Sequence, residues 1–421
     1  MDITFEKIKG DSVAYKTAMI IFALFAIAGA VSTWIVIQKG LWITGMNNRV
    51  PWGLQIVMAV YYIGLSAGSL VISGLYGVFG KQEYKPFARI AVWIAMLFLI
   101  AGLLSILTDQ GRMDRVFVQP FVHFNLQSMF SINPILYSGH ILICIIYLWA
   151  LFTERKKLTT VIATLAFGWA FCVHSGTGAI FGFGARMLYE SPLLPASFVA
   201  AAMASGTALM ILLIVGLFKI TKRCLDDRLV LWLGQFLAVC ILVVVYFLFI
   251  ENAYRAYVVE LRQAAMYYLF GGLHSIFFWG GLIFLGLVVP MFILFRKKTG
   301  QSIKWIVIAS GMVVFGILFE RYVIVLPGLT YPQEILPGMH ITQSMIQEGI
   351  AAYNISLAEI LQALGVFGVV GFLFLWGLRF FKLLPTEAII YDQIGLIKRI
   401  EYLRQKGIHI EDKKPRALAA R

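Results

Sequence analysis

Ten long apolar stretches punctuate the chain, at approximately 17 to 37, 55 to 79, 88 to 107, 134 to 152, 159 to 181, 196 to 218, 230 to 250, 272 to 295, 303 to 325 and 356 to 381. Each reaches the roughly 20 residues that an α-helix needs to cross the hydrocarbon core of a bilayer. A segment in lipid must satisfy its backbone polar groups internally, so runs of this length predict helices. The pattern predicts an all-α integral membrane protein of ten transmembrane helices, with residues 1–385 as the membrane domain. In residues 386–421 the spacing of Ile389, Ile390, Ile394, Ile397 and Ile400 predicts a short amphipathic tail on the cytoplasmic surface.

Composition agrees with this class and excludes others. Of the 421 residues, 60% are apolar and 13% charged, whereas soluble domains are about 45 to 50% apolar. A soluble enzyme is ruled out. The net charge of +14 is dispersed along the chain, so it forms no basic domain for nucleic acid. Topology accounts for it instead. Placing both termini and every second loop on one side collects 27 Lys and Arg there: Lys7, Lys9, Lys16, Lys81, Lys85, Arg89, Arg155, Lys156, Lys157, Lys219, Lys222, Arg223, Arg228, Arg296, Lys297, Lys298, Lys304 and ten more from Arg379 onward. The other side keeps eight: Lys39, Arg49, Arg112, Arg115, Arg186, Arg255, Arg262 and Arg321. By the positive-inside rule both termini are expected to be cytoplasmic, in a cytoplasmic (inner) membrane crossed many times. The start, MDITFEKIKGDSVAYK, is mixed in charge and lacks a small-residue cleavage pattern, so the first span is expected to be a true helix.

The four cysteines, Cys144, Cys172, Cys224 and Cys240, stand singly, which predicts no iron–sulfur cluster and no c-type haem on this chain. No phosphate-binding glycine loop is present to support ATP-driven transport. Haem b needs facing histidines, and His140, His174 and His274 lie on three different spans without a repeated same-helix spacing. No haem is expected. His123 and His340 fall in outer loops and His409 in the tail, where a solvated imidazole is the default.

Ionisable residues within spans are expensive and are functional candidates by default. Asp109 closes span three, His140 lies about two turns into span four, and His174 about two turns before the end of span five. Glu251 closes span seven, His274 opens span eight, Glu320 and Arg321 close span nine, and Glu359 with Gln362 opens span ten. With the orientation above, all fall in the outer half of the membrane, while the inner half offers mostly Ser, Thr and Gln235. One reading is that they cap helices and pair with outer-loop arginines. The other is a pocket near the outer surface for a molecule with an apolar tail and a head that gains and loses protons, such as a quinone. A proton- or solute-moving transporter would use the same residues but needs polar access from both faces; a plain membrane anchor would leave the cluster without a role. The outer loops 41–56, 184–195 and 326–353 are rich in Pro, Gly and aromatics and suit lids or a docking platform for an extracytoplasmic partner.

Five segments in order carry a family resemblance: NNRVPWGLQI at 47–56, HSGTG at 174–178, SPLLPASFVAAAMASGTAL at 191–209, FFWGGLIFLGLVVP at 277–290 and YNISLAE at 353–359. Over spans two to ten the sequence resembles the NrfD/PsrC family of integral membrane subunits of quinone-linked oxidoreductases, and most of all its sulfur-metabolism, DsrP-like branch. The resemblance implies two four-helix bundles, spans two to five and six to nine, with one extra helix at each end. It also implies a site for menaquinone or another quinone near the outer surface, no redox cofactor on the subunit itself, and electron exchange with a ferredoxin-like iron–sulfur subunit docked outside. Further cytochrome and iron–sulfur subunits are implied as well. His174 takes the place of a family tyrosine and is expected to be the principal quinone contact. Trp52 and Gln55 are expected to wall the pocket, with His140 and Asp109 passing protons; the plainer alternative for His174 is a bond to a backbone carbonyl. Glu251, Glu320, Arg321, Tyr353 and Glu359 are expected to form a further polar cluster with a proton-handling or structural role.

Overall fold

A computed structural model describes residues 4–116, 118, 122–223, 225–332 and 349–386. Ten helices in it are long and apolar enough to cross a membrane. They are α1 (Val13–Lys39), α2 (Leu54–Gly77), α3 (Lys85–Asp109), α4 (Met129–Phe152) and α5 (Lys156–Gly182), then α6 (Leu194–Ile220), α7 (Asp227–Tyr257), α8 (Gly272–Phe295), α9 (Ile303–Thr330) and α10 (Leu357–Phe380). The chain is a multi-pass integral membrane protein. Its two faces are called here the terminal face, where α1 begins and α10 ends, and the far face. The tail beyond residue 386 and His340 lie outside the described residues, as does Cys224.

Helices α2 to α5 close into one four-helix bundle and α6 to α9 into a second, joined along α2, α5 and α6 with α9 also against α2. The end helices do not flank the two bundles separately. They pair with each other, and α10 seats the pair on α3 of the first bundle. A stripe of small residues allows this: a side chain at Gly29 of α1 would run into the backbone of Gly365 of α10, and the reverse. Such close backbone approach is what drives helix association in lipid, where apolar side chains gain little from each other. At the terminal face the two chain ends are tied by a short antiparallel ladder, β1 (Phe5–Glu6) with β2 (Leu384–Pro385). Arg89 lies 3.6 Å from the Phe5 ring and donates to the carbonyls of Lys382 and Leu151.

Two helices run past the ends expected from hydropathy, and both extensions move charged residues inward. Helix α7 continues to Tyr257 instead of stopping near 250, so Glu251 does not close the span. It pairs at 2.7 Å with Arg255, one turn on, which is buried and is not a loop residue as expected. Helix α9 continues to Thr330 rather than 325, which places Glu320 and Arg321 well inside it. Glu251 and Arg255, opposite charges one turn apart, offset each other, so the helical backbone tolerates them where a hydropathy window does not. A further helix, Val259–Phe270, covers the far end of α7.

Candidate functional site

The polar residues singled out in the sequence gather into three groups in space. The first is a seam at the far face between α2, α3 and α10. Ser356 caps α10, and Glu359 three residues later completes a capping box. The Glu359 carboxylate does far more than cap. It accepts from the backbone N–H groups of Gly45 (2.9 Å), Leu54 (3.1 Å) and Ser356 (2.9 Å), and from the hydroxyls of Tyr353 (2.6 Å) and Ser356 (2.9 Å). Tyr353 in turn accepts from Leu54 N–H at 2.7 Å. Burial and the neighbouring carboxylate push the Tyr353 phenol above its usual range. Asp109, at the end of α3, accepts from Gly53 N–H at 3.2 Å, and Gln55 donates to the Glu359 carbonyl at 2.7 Å. Two carboxylates thus receive the free N–H groups at the start of α2, the end of a helix that favours negative charge. Tyr353 and Glu359 therefore share one network with Asp109 and Gln55. Trp52 stands beside it, its ring 5.8 Å from Phe181 and 5.9 Å from Phe130.

The second group lies about 12 to 18 Å below the far ends of the helices by helical rise. His140 of α4 is 1% exposed, with Nε2 3.3 Å from Ser66 Oγ of α2. Ser66 donates its single proton to the Ala95 carbonyl at 2.6 Å, so it can only accept from His140, and Nε2 carries the proton. His174 of α5 is buried as well, and among the described residues neither ring nitrogen reaches a side-chain partner. The carbonyls of Ala170 and Gly64 lie beside its ring. It borders a shallow apolar groove between α2, α5 and α6, lined among others by Gly68, Phe171, Ala202 and Met203. Phe171 on its rim is exposed toward the surrounding lipid. The next turns of α5 bring Thr177, bonded to Tyr137 at 2.9 Å, and Gly176, whose carbonyl accepts from Asn133.

The third group fills the far half of the second bundle. Glu251, Asn252, Arg255, Tyr268, Ser197 and Glu320 line a small cavity. Arg255 is held by Glu251, by Tyr268 at 3.2 Å and by the Leu188 carbonyl at 2.8 Å. Arg321 stands apart from this arrangement. It is wholly buried, its guanidinium carbon lies 4.0 Å from the Phe198 ring of α6, and its only close counter-charge, among the described residues, is Glu320 at 3.7 Å. None of its three nitrogens has a hydrogen-bond partner.

The sequence reading singled out His174 and Arg321 but gave them to different groups. The structure sets them near one another, with the Arg321 charge within electrostatic reach of the His174 ring. It does not bring Asp109 or Gln55 to His174, since both are engaged around Gly53 and Glu359. Sequence reasoning passed over Ser66, Phe198, Tyr268 and Gly64. A Ser or Phe within an apolar run carries no signal by itself; only the packing gives it a partner.

Comparison with known proteins completes the picture. The family model for polysulphide reductase, NrfD, matches residues 42–333, which take in both four-helix bundles and leave out α1 and α10. The integral membrane subunit of the Hdr-like menaquinol oxidoreductase of Archaeoglobus fulgidus is 37% identical over 92% of this chain and 98% of its own. A selenate reductase subunit of Mesobacillus selenatarsenatis is 27% identical over 85% of this chain and 92% of its own. The integral membrane subunit of the menaquinone reductase of Nitratidesulfovibrio vulgaris is 24% identical over 72% and 79%. With its two bundles matched from end to end, this chain belongs to the polysulphide reductase NrfD family.

Proposed function

We propose that this chain is the quinone-interacting membrane subunit of a multi-subunit respiratory redox complex, and that His174 is its contact with the quinone headgroup. One observation carries the assignment of the residue: a buried imidazole with no side-chain partner, beside only the Ala170 and Gly64 carbonyls, borders an apolar groove rimmed by the exposed Phe171. Such a place suits a molecule that is apolar along its length and polar at two oxygens. The relatives named as menaquinol oxidoreductase and menaquinone reductase subunits support menaquinone as the quinone.

Interconversion of quinone and quinol moves two electrons and two protons. The imidazole of His174 supplies the hydrogen bond and a place for a proton. His140, at similar depth in the same bundle, and Asp109 at the far face are the next groups able to hold one. The electrons pass to or from a partner, and we assign that role to an iron–sulfur subunit docked on the far face, with further cytochrome and iron–sulfur subunits in the complex. The excess of Lys and Arg on the terminal face supports a cytoplasmic location for it, which makes the far face the outer one. An impermeant thiol reagent on intact cells should then label a cysteine placed at Tyr331 and spare one at Lys157; the opposite pattern reverses the orientation.

The test of the site is His174→Phe in the assembled complex. A hydrogen bond lost from a buried group costs about 1 to 3 kcal/mol, so quinone binding and quinol-dependent electron transfer should fall at least several-fold while the subunits still co-purify. Wild-type affinity and rate in that variant would remove His174 from the site.

A further inference from the structure

Gly64, in the middle of α2, is buried, yet a Cβ built on it would meet no atom within 4 Å. One turn toward the terminal face the situation is reversed. A side chain at Gly68 would collide with the backbone of Ala202 and Gly206, and one at Gly206 with the backbone of Gly68. Helices α2 and α6 therefore touch at Gly68 and leave room beside Gly64. Around this place stand two buried side chains with hydrogen-bonding capacity to spare: His174, which has only the carbonyls of Gly64 and Ala170 beside it, and Arg321, on the Phe198 ring and without an acceptor among the described residues. Phe198 and Ala202 lie one turn apart on α6, and Phe198 faces Gly178, one turn beyond His174. By helical rise, Gly64, His174 and Arg321 all lie about 12 to 15 Å below the far ends of their helices.

Burying a guanidinium with no hydrogen bond is among the costliest arrangements a protein interior can hold. Glu320 at 3.7 Å offsets charge but takes none of the donors. The donors need an acceptor, and the open space at Gly64, at the same depth, offers a place for one. Guanidinium can only donate, whereas a neutral imidazole has one donor and one acceptor. A flat apolar ring carrying oxygens on two edges suits both.

We infer that the quinone headgroup lies over Gly64, in the seam between the two bundles, with one oxygen facing His174 and another accepting from Arg321. This rests on the reading of His174 given above and adds a ligand from the second bundle. Because Arg321 donates only, it favours the quinone carbonyl over the hydroxyl of the quinol. The groove past Gly68 and Phe171 then leads the isoprenoid tail out to lipid.

The experiment uses the purified complex and menadione, a headgroup with no tail, with binding read by quenching of tryptophan fluorescence. Gly64→Val places its side chain in open space, so the fold is retained while the headgroup volume shrinks. Arg321→Met removes the donors. A charged hydrogen bond is worth about 1.5 to 3 kcal/mol, so each variant should weaken menadione binding about tenfold or more, and Arg321→Met should weaken it more for menadione than for its quinol. Gly216→Val, at a glycine of α6 that also has open space around it, should bind as wild type. Wild-type binding by Gly64→Val overturns the inference, and so does a loss of equal size in Gly216→Val. If His174→Phe binds weakly while Gly64→Val and Arg321→Met bind normally, His174 remains the contact and the position over Gly64 falls. If His174→Phe also binds normally, the reading of His174 falls with it. Should Arg321→Met fail to assemble, Gly64→Val decides.

Discussion

Glu359 and Arg321 are both at 0% exposure, and their surroundings are opposite. Glu359 receives donors from three backbone amides and two hydroxyls and leaves none of its carboxylate oxygens idle. Arg321 has three nitrogens and no acceptor at bonding distance. The first arrangement closes on itself and holds α10 to the start of α2. The second stays open, and its energy falls only when something brings an acceptor. Glu359 lies on α10, outside the matched residues 42–333, and Arg321 lies inside them. Burial alone does not mark a functional charge; unmet hydrogen-bonding capacity does.

Four measurements on the purified protein break or sharpen this contrast. The largest effect should come from Glu359→Ala, which strands the amides of Gly45 and Ser356 and leaves Leu54 N–H with Tyr353 alone. At about 1 to 3 kcal/mol for each buried donor left unpaired, stability in detergent should drop by at least about 2 kcal/mol, with menadione affinity of the folded fraction unchanged. Near-normal thermal stability would show the network to be dispensable. Next, Gly365→Val overpacks the α1–α10 contact and should cost about 1 to 2 kcal/mol, again without touching quinone affinity. A loss of quinone binding there would mean that the helix pair belongs to the site.

Replacing the pair Glu320 and Arg321 together, as Glu320→Gln with Arg321→Met, should be neutral or stabilising by about 1 kcal/mol in quinone-free protein, because an imperfect buried ion pair returns little for its desolvation. A melting temperature lowered as far as in Glu359→Ala would place Arg321 among the structural charges. The smallest effect is a pH dependence. Tyr353 has its pKa raised in the folded state, so its contribution is complete below the ordinary phenol value of about 10 and declines as pH rises above that, when the unfolded chain ionises first. Denaturation at increasing pH should show a decline of less than about 1 kcal/mol near pH 10 that is absent in Tyr353→Phe.

Much of this architecture was legible in the sequence because hydropathy over about 20 residues is a local property. The run at 272–295 is the helix Gly272–Phe295 without adjustment. Where expectation and structure part, the cause is a contact between residues. Helix α7 continues to Tyr257 because Glu251 and Arg255 answer each other, and a hydropathy sum counts both as penalties. His174 stood out because it interrupts an apolar run beside glycines. Gly64 did not, since a glycine against a neighbouring backbone and a glycine beside open space read the same in sequence.

By itself, then, the sequence determined the class, the ten helices and the uneven charge of the two faces, all of which follow from each residue's preference for lipid or water. It also marked the costly polar residues. Which of them would find partners was decided by tertiary structure alone. The donors that satisfy Glu359 come from residues as far away as Gly45 and Leu54, and the space left beside Gly64 depends on where α2 and α6 touch. Hydrogen bonds form over about 3 Å between groups that the chain separates by hundreds of residues, and only the packed helices bring those groups within that distance or hold them outside it.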